Sequence, residues 1–353
     1  MPYLLDYIRN EGPGIADRYS DKQKIYLDIK YWILLRDGAE SNDPIIRQIT
    51  EKVQQLHSSG KCIFPISDII YYEMMKQGDD TKRSASITLV DQYSEGLAMV
   101  TAVHQFQIAF GYWIRKHLKI DNLPSPQESG WSAINLVIGF PGFSKQAENL
   151  SDELQKSFFD FASKIALSTI HRTTVIPFTP FNGKDDVKGL NEGKEKYRDQ
   201  NKTFKEMFIS ELEDFIQELK KPIHDELVSL FVQKMNRQPT AQEMAYINPD
   251  DYCKLIIQLF KEDKLSNELP LLKIFPSLFA MMRWNKDRIY KDGNDTTDVL
   301  HAVNALPNCH YFFTEKELKS LIVQLKLDRL FGCVVESDPK KVLEILNSIC
   351  FRK

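Results

Sequence analysis

Two acids three apart, Asp295 and Asp298, stand near the start of the stretch DGNDTTDVLHAVNALPNCHYFFTEKEL at 292–318. Val299, Ala302, Val303 and Leu306 follow at helical spacing, so both carboxylates fall in the first turn of a predicted helix. Pro307 stops that helix, Asn308 and Cys309 make a short turn, and HYFFT reads as a buried strand. Thr314 closes the strand and opens the next helix, with Glu317 three residues on as a capping-box partner. Glu315 stands at the same strand end. In a parallel α/β sheet, strand ends of this kind face the ligand crevice. Carboxylates brought to such a point are oxygen donors, which a hard cation such as Mg²⁺ prefers. Together they repel one another and raise each other's pKa, and a cation relieves that repulsion.

The elements that would position more acids there lie in the first hundred residues. Lys24 to Ile29, KIYLDI, is the first predicted strand, with Asp28 near its carboxyl end. Trp32, Ile33 and Leu34 begin a helix, and Asp43-Pro44 opens another. Cys62 to Ile66, CIFPI, is the second strand. Ser67 is a natural N-cap for the helix SDIIYYEMMKQ, which carries Glu73. A helix over 81–94 and a third strand, Leu97 to Thr101, follow. Alternating strand and helix predict a parallel sheet covered on both faces.

After Val103 the pattern changes. Residues 104–118 read as a helix, and 121–151, rich in Pro, Gly, Ser and Asn, as a long loop. Helices are expected over 151–170, 192–220, 224–236, 240–246 and 250–262, with a capping box at Thr240 and Glu243. A helix near 275–290, a strand at 331–335 and a helix at 338–350 complete the pattern. Residues 1–23 read as a peripheral segment, with GPG at 12–14 marking a turn. The expected partition is therefore 1–23, then 24–118, then a mainly helical insertion over 119–274, then 275–353.

The composition excludes several classes. At 353 residues, with 42% hydrophobic and 27% charged content, the chain is expected to be a soluble globular protein. Its five cysteines are scattered without a CxxC pair, which supports neither a zinc knuckle nor a disulfide framework. No apolar run reaches membrane-spanning length, and no signal peptide is read, so a cytoplasmic location is expected. A net charge of −3 excludes a globally basic nucleic-acid binder but not a local basic groove. GxGxxG, P-loop and GxSxG motifs are absent.

Three pieces, YLDIKYW at 26–32, FPISDIIYYEMM at 64–75 and NDTTDVLHAVNALPNCHYFFTEKEL at 294–318, resemble the PIN-like domain (PilT N-terminal-like) superfamily of metal-dependent nucleases. The resemblance covers roughly 24–101 and 275–353. It implies an α/β/α sandwich around a central parallel sheet, here interrupted by the large helical insertion. It also implies a metal-dependent endoribonuclease that hydrolyses phosphodiester bonds of single-stranded or loop RNA with Mg²⁺ or Mn²⁺. By position Asp28, Glu73 and Asp298 match the catalytic, metal-holding acids, and Glu315 stands where the family's strand commonly ends in Asp. Asp295, His301 and His310 are implied as neighbours of the ligands. His310 replaces an aspartate that commonly follows the turn, and an imidazole favours Mn²⁺ over Mg²⁺. The alternative is a PIN-like RNA- or protein-binding module that has lost cleavage. The insertion is expected to recognise substrate or to carry a homo-oligomer or protein contact.

Overall fold

The computed structural model describes residues 2–119, 124–138, 151–173, 184–196, 202–290 and 293–349. The chain divides into two compact units. One comprises Met1–Thr101, Gln127–Phe181 and Asn304–Lys353; the other comprises Ala102–Pro126 and Asn182–Val303.

The first unit begins with α1 (Pro2–Arg18), β1 (Gln23–Leu27), α2 (Ile29–Asp37), α3 (Pro44–Ser58), β2 (Cys62–Ile63), α4 (Asp68–Met75), α5 (Asp80–Ser94) and β3 (Leu97–Met99). Helix α6 (Ala102–His117) belongs to the second unit. The chain then returns with α7 (Pro126–Ser129), β4 (Trp131–Ala133), α8 (Ile134–Val137), α9 (Asp152–Ala162) and α10 (Leu167–Thr173). The second unit takes α11 (Lys184–Lys196), α12 (Phe204–Phe215), α13 (Lys220–Met235), α14 (Ala241–Tyr246), α15 (Pro249–Lys261) and α16 (Pro270–Trp284). Helix α17 (Asp295–Ala305) crosses the division. The first unit closes with β5 (Tyr311–Phe313), α18 (Lys316–Gln324), α19 (Leu327–Phe331), β6 (Val334–Glu336) and α20 (Pro339–Ile349).

The expected mixed α/β architecture with a parallel sheet is present. Its strand order is β2-β1-β5-β6, and each pair is parallel. Beyond β2, Ile66 bridges in parallel to Ala98 of β3, and β3 pairs antiparallel with β4. The chain therefore winds from β1 to one side and later resumes on the other at β5. That reversal is the switch point at which open α/β sheets leave a crevice beyond their carboxyl ends. The strands read as apolar runs because both faces are covered: Ile25, Tyr26, Leu27, Tyr311, Phe312 and Phe313 are all buried. Tyr26 lies in register with Phe312, ring centroids 5.5 Å apart.

The structure differs from the sequence pattern at several places. Residues 12–14, expected to turn, lie inside α1, with Pro13 within the helix. A Cβ on Gly12 would come 2.9 Å from the carbonyl oxygen of Ser129, so α1 passes too close to that backbone for a side chain. Tyr7 of the same helix packs on Phe159, beside Leu136 and Ala162. The N-terminal segment is thus part of this unit's packing rather than peripheral. The strand expected from 331 begins later. Phe331 ends α19, Gly332 takes a left-handed φ of 69°, and β6 runs to Glu336.

The expected partition at 118/119 and 274/275 also differs from the observed units. Residues 127–181 group with the sheet, and 102–118 and 275–303 group with the helical unit. The loop expected over 121–151 falls largely outside the described residues. One link explains how the returning segment is held. Asp91 of α5 accepts the backbone N–H groups of Leu167 (2.9 Å) and Ser168 (2.7 Å) at the start of α10. A distant side chain supplies a cap for these otherwise orphan donors. Asp91→Ala should cost about 1–2 kcal/mol of stability. An unchanged melting temperature would show that this link contributes nothing.

In the second unit, apolar residues of the described part of the helix expected over 192–220 form a core face. Met207, Phe208 and Leu212 are buried on α12, and Phe215 stacks on Phe275 of α16 at 4.1 Å. The expected capping box at Thr240 and Glu243 is present, and a second occurs at Thr203 and Glu206. Among the described residues no helix is long and apolar enough to cross a membrane.

Candidate functional site

Asp28 stands at the switch point between β1 and β5. It follows β1 with extended backbone (φ −72°, ψ 174°) and is buried, 4% exposed. Its N–H donates to the carbonyl of Phe313 at 3.1 Å, which joins the end of β1 to the end of β5. Its carboxylate accepts the N–H of Tyr31 at 3.3 Å, making Asp28 the N-cap of α2. The acid therefore has a structural task as well as a place at the crevice.

Alternation along a strand sets Tyr26 and Asp28 on the same face. The Tyr26 hydroxyl lies 2.7 Å from the Ser67 hydroxyl at the start of α4. Ser67 is the N-cap residue expected from the sequence, but its side chain makes no cap bond. Complete burial pushes the Tyr26 pKa far up; the Ser67 bond opposes this, and the nearby charges of Glu73 and Asp68 add to it. Glu73 is half-buried on α4, the helix whose start meets Tyr26 through Ser67.

The ends of β5 and β6 bring further acids. Thr314 is buried, and its N–H donates to the carbonyl of Glu336 at 3.0 Å. Glu315 is exposed and is the N-cap residue of α18, with no side-chain cap bond. The N-cap therefore falls one residue later than the capping box expected from Thr314 and Glu317, and the box does not form. Glu336 is buried beside Lys319, and accepts the N–H groups of Ser337 (2.7 Å) and Asp338 (3.0 Å). Burial raises its pKa, but Lys319 and those two N–H groups outweigh it and hold the carboxyl below the usual range. Asp338 caps α20 through the N–H of Lys340 at 2.8 Å. Tyr31 reports the combined field: its hydroxyl donates to Ser337 O at 3.1 Å, and burial, then Asp28, Glu336 and Asp338, raise its pKa.

Asp298 lies half-buried in the first turn of α17, within the second unit. Its N–H donates to Asn294 O at 2.9 Å. Asp295 is buried and ion-paired with Arg288. His301 is buried on the same helix.

His310 belongs to the first unit. It precedes β5, whereas Thr314 and Glu315 follow it, so it stands at the amino edge of the sheet. Its Nδ1 accepts the N–H of Lys24 at 3.0 Å, and its own N–H donates to Lys24 O at 3.0 Å. Partial burial and the Lys24 charge lower its pKa. The three-residue β5 separates it by about 10 Å from the edge that carries Asp28. His310 is a β1–β5 pairing residue there, not a neighbour of Asp28.

The sequence pattern missed Glu336 and Asp338. Reading Gly332 as a helix terminator would have delayed β6 and revealed an acid at its carboxyl end. Among the described residues no three His, Cys, Asp or Glu side chains form a metal-binding group. No family model, curated protein or solved structure matches the chain.

Proposed function

We propose that the protein is a PIN-like, metal-dependent endoribonuclease acting on single-stranded or loop RNA. The carrying observation is the buried Asp28 at the winding reversal between β1 and β5. Glu73 supports it, since α4, which carries it, follows the neighbouring strand β2 and begins at Ser67, whose hydroxyl meets that of Tyr26. Glu315 adds a further carboxylate from the end of β5.

The donors named are all carboxylates, which suit Mg²⁺ or Mn²⁺. Carboxylates repel at short range, and a cation is what draws them together. When bound, the ion would lower the pKa of a water and stabilise charge on a phosphoryl oxygen. The chain's own part is positional. The Tyr31 N–H fixes the Asp28 carboxylate, and the Asp28–Phe313 bond fixes the strand end beneath it. Water is the nucleophile, so no covalent protein intermediate is expected.

Purified protein with unstructured labelled RNA and Mn²⁺ should give internal cuts that EDTA stops. RNA left intact with both Mn²⁺ and Mg²⁺ would reject hydrolysis. The second reading, an RNA- or protein-binding module without cleavage, is favoured by one observation: Asp28 already caps α2. It expects RNA retention without cuts.

A further inference from the structure

An acidic crevice repels the phosphodiester it would have to hold, so cations must stand beside it. Two lysines occupy such places. Lys30 is exposed in the first turn of α2, two residues after Asp28. Lys76 is the C-cap residue of α4, three residues after Glu73. Helices α2 and α4 follow the neighbouring strands β1 and β2.

Each ammonium is steered by a tyrosine. Lys76 Nζ lies 4.6 Å from the centroid of Tyr72, and Lys30 Nζ lies 5.9 Å from that of Tyr31. A helical side chain leans toward its helix's N-terminus, so Lys76 runs back over Tyr72, in the direction of Glu73 and the strand ends. Among the described residues neither ammonium has an ion pair, whereas Lys22, Lys205, Lys220 and Lys319 each have one. Lys30 is also misplaced for its helix, because a cation in the first turn opposes the macrodipole. Arg36, a further cation on α2, is already committed to Asp37, Gln77 and Ser86.

We propose that Lys30 and Lys76 are a phosphate clamp, each contacting one backbone phosphate of a single-stranded nucleic acid beside Asp28 and Glu73. The clamp rests on the nuclease reading above and adds which residues hold the strand. Contacts of this kind position without reading sequence, so binding through them is independent of base identity and sensitive to salt.

The test is binding of a fluorescein-labelled oligouridylate of about 16 nucleotides. The full chain carries Asp28→Asn, with EDTA present, and salt runs from about 50 to 200 mM. Lys30→Ala and Lys76→Ala should each reduce the slope of log K against log salt by about 0.7, and the double variant by about 1.4. Lys76→Arg should keep the parent slope, and Lys52→Ala on α3 should not change it. Parent-like slopes in the alanine variants, with binding retained, overturn the clamp and leave the nuclease reading standing. A parent that binds no RNA also overturns the clamp. Cleavage by the wild type then decides whether the nuclease reading falls with it.

Discussion

Asp28→Asn should lower RNA cleavage by about a hundredfold or more while leaving the fold intact. The two effects separate because Asp28 has two tasks. As N-cap of α2 its side-chain oxygen accepts the Tyr31 N–H, and asparagine caps a helix about as well as aspartate. As a charge it shares the carboxyl edge with Glu336 and Asp338, whose field Tyr31 also feels. Removing that charge relieves repulsion, so the melting temperature should be unchanged or slightly raised. Asp28→Ala should lose activity equally and, in addition, about 1 kcal/mol of stability with the cap. Asp298→Asn should follow Asp28→Asn in activity. Rates on unstructured RNA, measured beside melting curves, decide the matter. Full activity in Asp28→Asn would end the nuclease assignment, whatever its stability.

Glu226→Ala should destabilise the helical unit by about 3–5 kcal/mol, the cost of a buried charge that loses its partner. Glu226 of α13 is 2% exposed and ion-paired with Arg115 of α6, which is 8% exposed. The Arg115 Nε also donates to Gln233 at 3.1 Å. Gly111, one turn before Arg115, makes room: a Cβ there would collide with the Glu226 carboxylate. The α6–α13 contact is therefore built around one charge pair. On thermal unfolding the loss should appear as a fall of roughly 10 °C or more in that unit's transition. Replacing both partners by apolar residues, Arg115→Met with Glu226→Leu, should recover most of it, because no charge is then left uncompensated. Equal damage in the single and double variants would show that shape, not charge, is what this contact requires.

Local signals were legible wherever the determinant lies within a few residues. Apolar runs marked strands at 24–29, 62–66 and 310–314, which the structure keeps in shorter form, and Asp43-Pro44 and Thr240 with Glu243 marked helix starts that it also keeps. The acid Asp28 was placed at a strand end by the same logic. Tertiary structure decided the rest. Strand order β2-β1-β5-β6 comes from pairing between segments far apart in the chain, and only that order makes β1 and β5 the switch point. The close approach of α1 at Gly12 involves the Ser129 backbone, and the α10 start is capped by Asp91, neither of which is visible locally. His310 and Glu315 show the difference most directly. Both flank one short strand, but its direction, fixed by parallel pairing with β1, sends His310 to the Lys24 end and Glu315 to the Asp28 end. Residue types near a strand are a property of the sequence; the edge of the sheet they reach is a property of the pairing.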